Sequence, residues 1–152
     1  MIGAGWIARR RAEATFARLA AGEWDGVVAA LAEDVHHLFP GDHPLGGERH
    51  TAAAVRSWLE RLGRLFPGHE FEVIRVLSAG PPWDLWIAIQ WTASLRPVVG
   101  EPYANQGAHW IRVRWGRVTY FHAYLDTQRV AAACEEMAKA GIAEAAAPPI
   151  VG

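Results

Sequence analysis

Apolar residues recur along the chain at two different periods, and the change of period divides it. In the N-terminal half the spacing is helical. "WIARRRAEATFARLAAG" reads as a helix with Ala8, Ala12, Phe16 and Leu19 on one face, and Gly22 follows as a stop. "EWDGVVAALAEDV" reads as a second, short helix, with Trp24, Val27, Val28 and Leu31 on one stripe. Residues 35–39 form a first strand. "TAAAVRSWLERLGRLFPG" is the clearest helix: Thr51 is placed to cap it, Val55, Trp58, Leu59, Leu62 and Phe66 make its stripe, and Pro67-Gly68 ends it.

From His69 onward the period falls to that of a strand. "HEFEVIRVLSA" alternates Phe71, Val73, Arg75 and Leu77 against Glu72, Ile74 and Val76. "WDLWIAIQWTASL" alternates Leu85, Ile87, Ile89 and Trp91 against Trp86, Ala88, Gln90 and Thr92. "YANQGAHWIRVRW" and "RVTYFHAYLD" meet at Gly116, which predicts a tight hairpin. "TQRVAAACEEMAKAG" is a closing helix. Helices thus segregate from a mostly antiparallel sheet, which defines an α+β class. One domain over residues 1–141 is expected, with 142–152 as a C-terminal tail. Both faces of residues 83–95 are apolar, so a curved sheet could cover its helices on one side and meet a second copy on the other, as a homodimer.

Composition narrows the classes without choosing among them. With 152 residues, 51% hydrophobic and 20% charged, the chain suits one globular domain. Its net charge of −1 argues against a nucleic-acid partner, and the run Arg9-Arg10-Arg11 would spread around a helix. No apolar run approaches the roughly 20 residues of a membrane span. The single cysteine, Cys134, allows no internal disulfide and suits a reducing cytoplasm. Eight tryptophans suggest an aromatic cavity, a subunit interface, or both.

The stretch "VHHLFPGDHPLGG" carries the candidate chemistry. Neighbouring strand residues point to opposite faces, so His36 and His37 cannot converge on one ion. One of the two faces inward, where it could serve as a general base near neutral pH or as a core histidine with one hydrogen bond. Asp42 and His43 follow in a loop at the expected pocket mouth. No HExxH or similar ligand spacing is present, so no resident metal is expected. Phe121, Ala123 and Leu125 share one strand face, and Tyr120, His122, Tyr124 and Asp126 the other. Asp126 directly precedes the last helix, as an N-cap or as an active-site acid. Asn105, Gln106 and His109 could line an upper pocket.

The pieces "AAGEWDGVVAALAEDVHHLFPG", "PLGGERHTAAAVRSWLERL" and "HWIRVRWGRVTYFHAYLD", in this order, resemble the nuclear-transport-factor-two-like superfamily. That group includes SnoaL-like polyketide cyclases, ketosteroid isomerases and limonene epoxide hydrolases. The resemblance implies a cone-shaped barrel, made by a curved sheet wrapped around N-terminal helices, with a deep apolar pocket and usually a homodimer. Carried over position by position, the isomerase base falls on Phe39, its acidic donor on Ala108 and its helix-one tyrosine on Thr15. The epoxide hydrolase acid falls on Ala123. None of these four matches, so neither chemistry is implied. Trp58 does match a pocket aromatic.

The resemblance places Phe16, Phe39, Trp58, Leu62, Ala108, Trp110, Phe121, Ala123 and Leu125 in the pocket wall, with His37 or His36 inside. Two functions remain open. One is cofactor-independent acid–base chemistry on a hydrophobic small molecule, of cyclase, isomerase, dehydratase or hydrolase type. The other is non-catalytic ligand binding or dimerisation on the same fold.

Overall fold

The computed structural model describes residues 4–152, without the side chains of residues 4, 5, 8 and 12. The expected placement of Ala8 and Ala12 on the first helical stripe lies outside that description. In chain order the elements are α1 (Ala4–Ala21), α2 (Trp24–Ala29), β1 (Leu31–Phe39), β2 (Gly47–Arg49), α3 (Ala52–Leu65), β3 (Gly68–Ala79), β4 (Asp84–Arg96), β5 (Tyr103–Arg114), β6 (Arg117–Leu125) and α4 (Thr127–Lys139), followed by a short 3-10 turn at Ala143–Ala146. The fold is α+β. Six strands form one sheet in the order β2-β1-β6-β5-β4-β3, in which only β1 and β6 run parallel. The sheet is open, and α1 and α3 pack on its inner side against β3 and β1. Among the described residues no helix is long and apolar enough to cross a membrane.

Local chemistry explains most boundaries. The Thr51 hydroxyl accepts the Ala54 N–H at 3.1 Å and starts α3. The Asp126 carboxylate accepts the Gln128 and Arg129 N–H groups and starts α4. β5 and β6 are joined by the two residues Trp115 and Gly116, both at positive φ (49° and 78°). That is the backbone of a type I′ hairpin, whose twist matches the strands it joins.

Two expectations are corrected, and one strand is added. Leu31–Asp34 continues no helix; it is strand, because Leu31 pairs with Val118 of β6 and tertiary pairing outweighs the helical preference of "AALAED". β2 is a strand too short to carry a readable pattern. In β3 the pairing jumps from Val73↔Trp91 to Arg75↔Gln90, so Ile74 is an extra, bulged residue. The bulge turns Val76 inward and leaves Leu77 exposed, opposite to simple alternation.

The C-terminal tail packs on the domain. Ala145 is buried, and the Gly152 carbonyl accepts the His50 N–H at 2.7 Å.

Candidate functional site

Alternation along β1 puts Val35 and His37 inside, and the pairing of His36 with Tyr120 places His36 on the outer face. His37 is 1% exposed. Its ring lies parallel to Phe121 with centroids 4.0 Å apart and edge-on to Trp58 at 4.6 Å. The Arg49 Nε–H donates to His37 Nδ1 at 2.9 Å. A guanidinium is only a donor, so Nδ1 is the acceptor and the neutral ring keeps its proton on Nε2. That Nε2–H is buried and has no partner among the described residues. Such a group costs on the order of 1–3 kcal/mol unless something accepts its proton.

Arg49 is itself wholly buried. Its remaining donors reach the carbonyls of Gly46 (3.1 Å), Ile150 (2.8 Å) and Gly47, and its guanidinium carbon lies 5.5 Å from the Trp58 ring centroid. No carboxylate pairs with it among the described residues. Burial pushes its pKa down to about 10, so it stays cationic at neutral pH. His37 is held well below the usual histidine range, first by burial and then by the Arg49 charge. A neutral imidazole thus stands against a buried cation on one side and carries a buried N–H without a partner among the described residues on the other. The cation favours an acceptor there that carries negative charge.

A second histidine is set the same way. His109 faces inward from β5, and the Trp91 indole N–H donates to its Nδ1 at 2.8 Å. Indole is donor-only, so the His109 proton also sits on Nε2. Burial lowers its pKa to about 4. Phe16 of α1 packs edge-on against it at 5.6 Å. Room for the Trp91 indole comes from Gly107, where an added Cβ would lie 3.0 Å from that ring and 2.2 Å from the Tyr124 carbonyl oxygen. His37 pairs with Phe121 and His109 with Ala123, so the two rings stand two strands apart and one inward position along. Ala123 between them contributes only a methyl group.

The inner face is not closed over. Ile87, Ile111 and Phe121 form a ladder across the central strands, directly beside His37, and each retains accessible surface. Side chains that point inward from central strands can be reached only from the concave side. A separate concavity of about 700 Å³ lies on the sheet by the start of α4, bordered by Glu70, Glu72, Thr92, Gln106, Asp126 and Arg129. It does not touch His37 or His109.

The structure brings Phe16, Phe39, Trp58, Leu62, Phe121, Ala123 and Leu125 to the inner side, where all but Ala123 belong to or pack on the core. Ala108 and Trp110 do not join them. Both sit on the outer face, where Ala108 pairs with Tyr124 and Trp110 with His122, and Trp110 is 47% exposed. The cause is one extra residue, Thr119, on β6: pairing is Val113↔Val118 on one side of it and Arg112↔Tyr120 on the other. His109 takes the inward place instead. His43 is also corrected. It is buried: its Nδ1 accepts the Leu45 N–H and its Nε2 meets the Pro40 carbonyl at 3.0 Å, which fixes a turn and leaves no nitrogen for a pocket mouth. Asp42 beside it is exposed. Arg49 was not foreseen; its only signal is an arginine between Glu48 and His50 in an otherwise surface-like stretch.

The SnoaL-like domain model matches residues 12–121. The chain belongs to the SnoaL-like domain family. No curated protein is similar to it in sequence. Among solved structures, an NTF2-like protein of unknown function from Burkholderia pseudomallei superposes with a TM-score of 0.71 at 21% identity, covering 81% of this chain and 93% of its own. TerC, co-crystallised with polyporic acid, gives 0.69 at 17% identity over 81% and 94%. A candidate scytalone dehydratase from Novosphingobium aromaticivorans gives 0.65 at 12% identity over 78% and 80%. These likenesses are of fold. For this SnoaL-like chain they agree with the open curved sheet and its inner helices.

Proposed function

We propose that this SnoaL-like protein binds an apolar small molecule against the concave face of its sheet, and that an oxygen of that molecule accepts the His37 Nε2–H. The observation that carries this reading is the buried N–H without a partner, held in one tautomer by Arg49. The half-buried ladder of Ile87, Ile111 and Phe121 supplies the apolar wall, and TerC's crystallisation with polyporic acid supports small-molecule binding on this fold. An anionic oxygen suits the site best, because Arg49 is a buried charge without a carboxylate.

A second reading adds chemistry to the binding. Two neutral imidazole N–H groups on the inner face could polarise a carbonyl, or stabilise the oxyanion formed from it. General-base chemistry fits less well: the Nδ1 lone pairs of His37 and His109 are already engaged, and no carboxylate is buried among the described residues. The reading requires no cofactor. It also includes a homodimer through the outer face, where Trp86, Trp110 and Tyr124 are exposed side by side with Tyr120 and His122.

The test is calorimetric titration with polyporic acid and, as an apolar control, biphenyl, on wild type and His37→Phe. Wild type should bind polyporic acid more tightly than biphenyl. The substitution should weaken the former about tenfold, the value of one hydrogen bond of roughly 1.4 kcal/mol, and spare the latter. Binding of neither compound, or equal loss of both with near-ultraviolet circular dichroism unchanged, would overturn it.

A further inference from the structure

The outward histidine of β1 has partners that the linear sequence separates. β1 and β2 pair with His37 opposite Arg49 and Leu38 opposite Glu48, and the same register sets His36 opposite His50. Three side chains therefore meet on the outer face at the open edge of the sheet. His36 Nε2 lies 2.8 Å and His50 Nε2 3.7 Å from the same Glu48 oxygen, Oε2. The two imidazole rings stack with centroids 4.6 Å apart, and one ligand atom from each of the three residues fits within 4.8 Å of the others.

We propose that His36, Glu48 and His50 form a binding site for a divalent transition-metal ion, with Zn²⁺ the best match. Two imidazoles and one carboxylate are a donor set that zinc takes, with bonds of about 2.0–2.1 Å. In tetrahedral geometry such ligand atoms sit roughly 3.3 Å apart. The separations of 2.8 and 3.7 Å to the shared oxygen bracket that value, and side-chain rotations that converge the two stacked imidazoles would complete the set. Nitrogen donors favour zinc, copper or nickel over magnesium or calcium, which prefer oxygen alone.

The scaffold is rigid for a surface site. His36 lies in mid-strand with Tyr120 packed edge-on at 5.5 Å. β2 is anchored by the buried Arg49, and the His50 N–H is tied to the Gly152 carbonyl. Glu48 and His50 are more than half exposed, which leaves the fourth position to water or to a ligand oxygen. The site lies on the opposite face of the sheet from the His37 ring, so the proposal does not rest on the binding reading above.

The experiment is titration of the tag-free chain with Zn²⁺ near pH 7.5, followed by calorimetry, with Co²⁺ as a spectroscopic substitute. One Zn²⁺ per chain should bind, and Co²⁺ should show the visible bands of a tetrahedral site. Glu48→Gln and His50→Ala should each weaken Zn²⁺ at least tenfold, with near-ultraviolet circular dichroism unchanged because both side chains are exposed. Affinity should also fall in acid, because protons compete with the metal for the imidazole nitrogens. No stoichiometric Zn²⁺ binding, or binding that survives Glu48→Gln and His50→Ala unchanged, would overturn the site and leave these residues as a solvated hydrogen-bonded cluster.

Discussion

Lowering the pH from 7 to 5 should destabilise this protein through its inward histidines. In the unfolded chain a histidine takes up a proton near pH 6.5. In the folded chain burial pushes His109 down to about 4, so it remains mostly neutral at pH 5. The unfolded state therefore binds more protons over the window from about 6.5 to 4, and stability falls as pH falls. Integration for one such group between pH 7 and 5 gives about 2 kcal/mol, or about 1.5 kcal/mol after allowance for the solvent contact His109 retains. His37 shifts in the same direction by burial and by the Arg49 charge, and His43 by burial. Ordinary carboxylates titrate mostly below this window. Urea denaturation at pH 7, 6 and 5, on wild type and His109→Gln, isolates the His109 share. Gln does not titrate, and its side-chain oxygen can still accept the Trp91 N–H. The variant should lose about 1.5 kcal/mol less than wild type across the window. Parallel loss in the two proteins would refute the assignment of a depressed pKa to His109, and a wild-type stability that stayed flat would refute the scheme for all the inward histidines.

Trp58→Ala should cost about 3–5 kcal/mol in urea denaturation, since a buried indole that also donates to the Leu45 carbonyl at 2.8 Å is removed. Asp126→Asn should leave stability nearly unchanged, whereas Asp126→Ala should lower it by about 1 kcal/mol, because Asn caps a helix as Asp does. Light scattering at micromolar concentration should give twice the 16.7 kDa of one chain, and Trp110→Glu on the outer face should return it to the monomer.

The parts of the fold that could be read from sequence are those where the signal is local. Thr51 and Asp126 cap the helices that they precede, because a short oxygen-bearing side chain at that place has free N–H groups to accept. The α3 stripe of Val55, Trp58 and Leu59 is buried, and the alternation of Ile87, Ile89 and Trp91 against Trp86 and Gln90 holds throughout β4. Illegible were features decided by distant chain. β2 exists because Arg49 is drawn under β1 and held by carbonyls from residues 46, 47 and 150, the last 101 positions away. Leu31–Asp34 is strand because β6 lies beside it.

The composition of the candidate site turns on one inserted residue. The hairpin closes at Arg114↔Arg117, and continuing that register without interruption would pair Trp110 with Phe121. Phe121 faces inward, so Trp110 would too, and the concave face would hold a bulky indole with His109 turned out beside His122 and Tyr124. Thr119 breaks the register by one, and every residue of β5 before Val113 changes face relative to β6. Trp110 becomes part of an exposed aromatic face. His109 enters, where Gly107 and Ala123 leave space and Trp91 supplies the hydrogen bond that fixes its tautomer. No apolar–polar pattern distinguishes these outcomes, since "AHWIRV" alternates acceptably either way. What distinguishes them is the chemistry of partners across the sheet. His109 turned outward would leave the Trp91 indole N–H buried without an acceptor, at a cost on the order of 1–3 kcal/mol. That cost ties the bulge at Thr119 to the pair of inward histidines.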